Sequence, residues 1–267
     1  MEEKGKKRIV DAATNIAGNT VGAGIGAAIA GPGGAVIGAI AGGAVQSLFQ
    51  WAGDEIKERF LSKQERKRID QVFTLASQKI IDRLESGDKP RDEEFFMHHK
   101  KNRSAAAELL EGTLLIAQRE YEERKLPYIA NLYSNLCFDS EVSPQVANSL
   151  IRLAGELSYQ QLCIIHCVSI LQTVDWLNKR EQYQTVIGLD NVSIAEDTFS
   201  LYRNGILHTS NSSAIISAGG INPKALVIKG LGRFLFNNME LVKMEHDELM
   251  HIVFAFFSNS PLPDVID

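Results

Sequence analysis

Residues 143–171, SPQVANSLIRLAGELSYQQLCIIHCVSIL, decide the fold class because they predict two helices in succession. Ser143 followed by Pro144 is typical of a helix start, since serine caps the first turn and proline suits the first helical position. Apolar residues then recur at helical spacing, and Ser158 starts a second helix that is apolar through Leu171. A helix that is apolar on all sides is buried, so the chain should consist of helices packed around helices.

Helix signals continue on both sides of this stretch. Ser62 and Glu65 form a capping box, and the apolar residues after it keep helical spacing as far as Leu84. Further helices are expected over residues 104–125, 127–137, 194–205, 230–240 and 247–257. The first of these carries an apolar stripe made of Leu109, Leu110, Leu114, Leu115 and Ala117. Two β-prone pieces, residues 214–217 and 225–228, precede the helix at 230, so the C-terminal part resembles a winged helix.

The sequence therefore predicts a mainly α protein in three parts. Residues 1–53 form an N-terminal Gly/Ala-rich helical hairpin, residues 54–190 a helical bundle, and residues 191–267 a small winged-helix-like α+β module. The composition agrees, since 45% hydrophobic and 23% charged residues are typical of a globular chain. The net charge of −5 argues against a dedicated nucleic-acid binder, and three cysteines favour a reducing compartment. The first ten residues lack the apolar core of a secretory signal.

The most informative segment carries no charge from Ala12 to Gly53, and ten of the 21 glycines lie between Gly18 and Gly43. Small residues follow a strict four-residue spacing at Gly18, Gly22, Gly26, Ala30, Gly34, Gly38 and Gly42. Branched aliphatic residues keep the same spacing beside them, at Val21, Ile25, Ile29 and Ile37. Residues four apart lie on one face of a helix, so this glycine row is a face almost without side chains. Such a face lets helices approach closely in lipid, which favours membrane insertion and self-association.

The segment has the dimensions of a membrane hairpin. Gly31 and Pro32 divide it into two halves of about 19 residues, each of which spans about 28 Å as a helix, close to the hydrocarbon thickness of a bilayer. Basic residues flank it at Lys6, Lys7, Arg8, Lys57 and Arg59. Because positive charge stays cytoplasmic, the hairpin should enter a membrane and return on its cytoplasmic face. Large apolar residues are few, so conditional insertion as a pore, a stable anchor, and a hairpin packed on a soluble body all stay open.

Patterns for other chemistry are weak, and neither catalytic residues nor a cofactor or metal are expected. The G-x-G at Gly22 has no preceding strand and no acidic residue after it, and no Walker lysine occurs. Cys163, His166 and Cys167 share one side of an apolar helix, with Cys137 or His208 as possible further ligands. Buried core residues explain that cluster more simply. The glutamates of residues 104–125 are interleaved with basic residues, as on a solvated, charge-balanced helix face.

Several short stretches resemble a bacterial family associated with abortive infection, the Abi-alpha type. They are Tyr128-Ile129-Ala130-Asn131-Leu132, Ser143-Pro144, Leu150-Ile151-Arg152-Leu153, Leu157-Ser158, Gln161-Leu162 and Gly230-Leu231-Gly232-Arg233. The N-terminal segment is similar to the glycine-zipper segments of membrane-active proteins. Together the two resemblances imply a phage-defence effector that is triggered by an unidentified protein or ligand and then oligomerises in membrane lipid. The alternative is a soluble or membrane-docked adaptor that binds a protein partner and uses the glycine segment as an anchor or packing device.

Overall fold

The structure is a computed structural model that describes residues 48, 51–52, 61–91, 93–97, 103–173, 191–210 and 223–257. Over these ranges the chain forms eight α-helices and one two-stranded sheet, so the prediction of a mainly α protein is confirmed. The predicted N-terminal hairpin lies outside the described residues, except for its C-terminal edge. The chain divides into two compact units, 1–155 and 156–267. The predicted division near residue 190 borders a stretch that lies outside the described ranges.

The first unit contains helices α1 (Lys63–Glu85), α2 (Ala105–Arg119), α3 (Leu126–Leu136) and α4 (Pro144–Glu156), the last of which ends at the boundary. Helix α1 packs against both α2 and α3. The predicted capping box is confirmed, because Ser62 and Glu65 exchange side-chain and backbone hydrogen bonds. The apolar residues of its predicted stripe are all buried: Ile69, Phe73, Ala76, Ile80 and Leu84.

Helix α2 ends at Arg119, six residues before the predicted end at residue 125. The backbone turns out of the helix at Glu120, where ψ is 112°, and a short 3-10 turn follows at Glu123–Lys125. The Glu120 carboxylate then accepts a hydrogen bond from the backbone N–H of Glu122 at 2.9 Å and pairs with the ammonium of Lys125. Both charged side chains are buried, so the expectation of a solvated face is wrong for this pair. Leu115 of the predicted stripe is 37% exposed and lies outside the core.

Helices α2 and α4 meet through two glycines in a reciprocal arrangement. Ile151 of α4 lies over Gly112, where an added Cβ would be 3.4 Å from its Cγ2 atom. Ile116 of α2 lies over Gly155, where an added Cβ would be 2.9 Å from its Cγ1 atom. Each isoleucine stands four residues from the glycine on its own helix, so both contacts use one face of each helix. Glycine therefore provides a close helix contact inside the folded unit.

The second unit is built around helix α5 (Tyr159–Thr173), whose residues 162–169 are all buried, as expected for an apolar helix. Around it pack α6 (Val192–Arg203), α7 (Leu231–Asn238), α8 (His246–Phe257) and the second strand of the hairpin. That hairpin joins β1 (Leu207–Thr209) and β2 (Leu226–Ile228) in antiparallel register.

Only one of the two predicted strands is seen where the sequence put it. The piece at 225–228 is confirmed as β2, whereas residues 214–217 lie outside the described ranges. The partner of β2 is β1, which pairs Leu207 with Ile228 and Thr209 with Leu226. Strand β1 follows directly after α6, because Gly205 turns the chain with a positive φ of 69°. The small sheet thus begins one turn after α6.

Candidate functional site

The predicted membrane segment lies almost wholly outside the described residues. This holds for the glycine row and its aliphatic neighbours: Gly18, Gly22, Gly26, Ala30, Gly34, Gly38, Gly42, Val21, Ile25, Ile29 and Ile37. It also holds for the flanking basic residues Lys6, Lys7, Arg8, Lys57 and Arg59. The roles of these residues in membrane insertion and self-association therefore stay predictions. Within the described residues, no helix combines the length and the apolar character needed to cross a bilayer.

The C-terminal edge of the segment is described at Leu48, Trp51 and Ala52, and all three residues are helical. Leu48 and Ala52 are four residues apart, so they share one helix face, and their side chains are 1% and 0% exposed. Trp51 is partly exposed and lies under the guanidinium of Arg103, whose Cζ atom is 5.5 Å from the centroid of the indole ring. This end of the uncharged segment is thus buried within the first unit.

Arg103 is fixed by a second contact on α2. It pairs with the carboxylate of Glu111, while Ser104 beside it caps α2 by accepting a hydrogen bond from the backbone N–H of Ala107. The guanidinium is held between an acid and an aromatic ring, a position that suits arginine because its planar cation stacks on rings and pairs with carboxylates. Sequence analysis missed Arg103 because nothing in the local pattern joins it to Trp51.

A second feature of the first unit is a basic end formed where α1 begins and α2 ends. The side-chain amide of Gln118 donates to the carboxylate of Glu65 at 3.0 Å, and Arg68 Nη1 donates to the carbonyl of Gln118 at 3.4 Å. Glu123 of the 3-10 turn accepts from Gln64 and lies near Lys67 and Arg68. These contacts bring the basic residues of three separate segments to one end of the unit: Lys63, Arg66, Lys67, Arg119 and Arg124.

The cysteine and histidine cluster of α5 is a buried part of the core. Cys163, His166 and Cys167 are each at most 5% exposed, in agreement with the simpler reading of this motif. Burial raises the pKa of the Cys167 thiol well above its usual range, so the thiol stays protonated. Burial, and then His246, lower the pKa of His166 to about 4, so its ring is neutral at pH 7. Across the described ranges, no group of three side chains that could bind a metal was found.

Both units contain buried polar atoms that have no hydrogen-bond partner. The Nδ1 atom of His166 and the Nε2 atom of His246 are buried, and neither has a hydrogen-bond partner. In the first unit, burial raises the pKa of the Asp70 carboxyl to about 7, although Arg66 acts in the opposite direction. Its Oδ1 atom is buried without a hydrogen bond. Protonation between about pH 4 and pH 7 therefore affects the stability of both units, in opposite directions.

No family model, no curated protein and no solved structure matches this chain. The resemblance to the abortive-infection family therefore rests on the quoted residues alone and stays a prediction. Three features of the chain bear on its function: the glycine row, the buried edge at Leu48 and Ala52, and the basic end.

Proposed function

We propose that this protein is a phage-defence effector of the bacterial inner membrane. Residues 12–53 are stored against the folded chain, a trigger releases them, and several copies insert and permeabilise the bilayer along the glycine row. The observation that carries this proposal is an uncharged, glycine-spaced segment whose last described residues are buried and, at Trp51, contact Arg103 at the start of α2. A segment of this composition needs a surface, and the folded unit offers one.

The energetics favour a segment that changes its surroundings. Each glycine in a helix interior costs about 1 kcal/mol relative to alanine in water. With ten glycines between residues 18 and 43, helix formation in water has to be offset by packing. That packing comes either from the folded unit or from other copies in lipid, where small residues let backbones approach. Two such environments of similar free energy make a switch, because a trigger then needs only a modest difference in affinity for the two states.

The buried edge supports a link between storage and release of the segment. Leu48 and Ala52 lose their burial when the helix that carries them leaves the unit, and Trp51 loses its contact with Arg103. Burying one leucine contributes about 2 kcal/mol, which lies within the range that a bound partner can overcome. In this proposal the helices from α1 onward stay folded when the segment is released.

The proposal is tested by dye leakage from vesicles that contain anionic lipid. Because the stored and inserted states are close in free energy, we expect the full-length protein to release dye slowly even without its trigger. The double variant Gly26→Ile, Gly38→Ile should release none, because both changes fill the glycine row. The matched control is Gly24→Ile, Gly43→Ile, which makes the same change off the row and should retain leakage. Equal leakage by both double variants would contradict a role for the row.

The adaptor reading makes a different prediction from the same buried edge. If the glycine segment is only a packing device, neither the wild type nor a variant with a weakened edge, such as Arg103→Ala, releases dye. Expression would then be harmless in bacterial cells, and partner binding would persist when the glycine row is altered. Leakage by the Arg103→Ala variant would decide against this reading.

A further inference from the structure

The basic end of the first unit has the make-up of a surface that meets charged lipid. Lys63, Lys67, Arg119 and Arg124 are exposed there, and Lys67 keeps 63% of its side chain accessible. Lys63 and Lys67 stand on α1, more than 50 residues before Arg119 and Arg124, and the packing of α1 against α2 brings the two pairs to the same end of the unit. In a chain with a net charge of −5, this end is a local concentration of positive charge.

The acids of this end are already engaged with neighbouring groups. Hydrogen bonds from Ser62 and Gln118 lower the pKa of Glu65 to about 2, so its carboxylate is ionised and committed to the start of α1. Glu123 accepts from Gln64 and lies 3.7 Å from Lys67 and 3.9 Å from Arg68. Glu120 is buried with Lys125 and contributes no net charge. Besides the Glu120–Lys125 pair, the described residues of this end carry more basic than acidic side chains: Lys63, Arg66, Lys67, Arg68, Arg119 and Arg124 against Glu65, Glu122 and Glu123.

An exposed aromatic ring lies in the same place. Tyr121 is 79% exposed in the short link between the end of α2 and the 3-10 turn, and Arg119 and Arg124 stand on either side of it in the chain. Among the described residues, Tyr121 is the most exposed large apolar side chain, ahead of Val242 at 64% and Phe254 at 53%. Tyrosine is enriched at the water–membrane interface, where its ring lies among headgroups and its hydroxyl stays hydrated.

We propose that this end of the first unit docks on the headgroup layer of an anionic bilayer. Lys63, Lys67, Arg119 and Arg124 contact the lipid phosphates, and Tyr121 enters the interfacial layer. The inference rests on the proposed function, since it names the surface that brings the stored segment to its target. Each basic residue near an anionic bilayer strengthens binding by about fivefold, so removal of three of them weakens binding by about 100-fold.

Docking is separable from release of the stored segment. Arg103, which contacts Trp51, precedes the first residue of α2, whereas Arg119 is the last residue of that helix. Helix α2 has 15 residues and is therefore about 22 Å long, so the two features lie at its opposite ends. A unit bound to the bilayer through its basic end can thus still hold Trp51 in place.

Basic residues beside an aromatic ring also occur on surfaces that bind nucleic acid. Lipid is favoured here because the surface is small, its cations alternate with acids, and phosphate contacts to a duplex require a more basic surface. The uncharged glycine segment in the same chain gives a reason for contact with a membrane and none for contact with a duplex. Nucleic acid therefore enters the test as a competing outcome.

The test measures co-sedimentation of the full-length protein with two kinds of vesicle. One contains phosphatidylglycerol mixed with phosphatidylcholine, and the other contains phosphatidylcholine alone. The triple variant Lys63→Gln, Lys67→Gln, Arg119→Gln removes three cations from the basic end. The matched control Lys229→Gln, Arg233→Gln, Lys243→Gln removes three exposed cations from the second unit and gives the same net charge. Tyr121→Ser tests the ring by itself.

We expect salt-sensitive binding to the anionic vesicles, about 100-fold weaker binding by the triple variant, and unchanged binding by the control. Tyr121→Ser should also weaken binding. Equal binding by the triple variant and its control would overturn the proposal. So would displacement of the protein from vesicles by a short RNA or DNA duplex whose binding is lost in the same triple variant.

Leakage, recorded in the same samples, separates this inference from the proposed function. One outcome is binding that depends on the basic end, with no dye release by the wild type or by Arg103→Ala. This outcome would support the docking surface and contradict the proposal of a permeabilising effector. Dye release that is equal for the wild type and the triple variant keeps the effector and overturns the docking surface.

Discussion

The indole ring of Trp51 lies 5.5 Å from the guanidinium carbon of Arg103, and this contact joins the end of the uncharged segment to the start of α2. A cation–π contact at a partly exposed site contributes about 0.5–1 kcal/mol. Its loss should therefore raise the population of the released segment by about two- to fivefold. The contact contributes little free energy, which suits a contact that has to break when a trigger binds.

Arg103→Ala should accordingly increase the rate of dye leakage from anionic vesicles by about two- to fivefold. Arg233→Ala, at an exposed position in the second unit, is the control and should leave the rate unchanged. The expected thermal stability is the same for both variants, because Arg103 lies at the surface. A leakage rate that is the same for both variants would show that the contact does not hold the segment.

Gly232→Ala should destabilise the second unit strongly. A Cβ at this position would lie 2.2 Å from the backbone carbonyl oxygen of Ile206, and backbone cannot move aside as a flexible side chain can. We expect a loss of about 3 kcal/mol in the free energy of unfolding, measured by denaturant titration.

Gly112→Ala is the matched control for that variant, since its Cβ would meet only the Ile151 side chain at 3.4 Å inside a helix. This change should be neutral or stabilising by up to about 1 kcal/mol, because alanine favours the helix. A loss of similar size in both variants would mean that the close approach at Gly232 is not what matters.

Glu120→Gln should destabilise the first unit, because it leaves the buried ammonium of Lys125 without its counter-charge. Breaking a buried pair by removing one partner costs about 3–5 kcal/mol. The double variant Glu120→Gln, Lys125→Met should recover part of that loss, since no buried charge then remains. A double-mutant cycle by thermal denaturation checks this, and additive effects of the two changes would speak against coupling of the pair.

The second unit should lose stability in acid through His166. Its pKa is about 4 in the folded chain against an ordinary 6.5, so between these values the unfolded chain binds more protons than the folded one. Stability should therefore fall as the pH drops from about 6.5 to about 4, by about 3 kcal/mol at most. His246 shares this environment, and the hydroxyl of Tyr159 donates to Glu248 on the same two helices.

His166→Leu should abolish that acid sensitivity, measured as the melting temperature across this pH range. The control His251→Gln changes an exposed histidine of α8 and should keep the wild-type slope. Asp70 works in the opposite direction, because its raised pKa stabilises the protonated folded form as the pH falls from about 7 to about 4. Asp70→Asn should therefore raise stability at pH 8, and an unchanged stability there would refute the assignment.

Local sequence signals predicted most helix starts because caps depend only on a few neighbouring residues. Ser62, Ser104 and the Ser143-Pro144 pair each precede a helix within one residue of the expected position. Helix α2 ended early because the pairing of Glu120 with Lys125 replaces a further helical turn, and burial of that pair is not visible in the local pattern. The partner of β2 was missed because strand pairing depends on residues that are distant in sequence.

The candidate sites also differ in whether local sequence or tertiary packing creates them. The spacing of the glycine row is a property of the sequence, and it predicts a helix face without any knowledge of the fold. The contact of Arg103 with Trp51, and the meeting of Lys63 with Arg119 and Tyr121 at one end of the unit, arise only from packing of α1 against α2. Sequence patterns identify a segment that needs a surface, and tertiary structure is required to find the surfaces themselves.

The central claim is that the glycine row permeabilises the inner membrane, and membrane potential in living cells tests it most directly. Bacteria that express the full-length protein, the row variant Gly26→Ile, Gly38→Ile, or the off-row variant Gly24→Ile, Gly43→Ile are stained with a potential-sensitive dye. Each variant is also made with Arg103→Ala, which should raise the population of the released segment about two- to fivefold in the absence of the natural trigger. The account predicts depolarisation by the Arg103→Ala protein and its off-row form, and none by the row form. Depolarisation by the row form, or by none of the three, would contradict it.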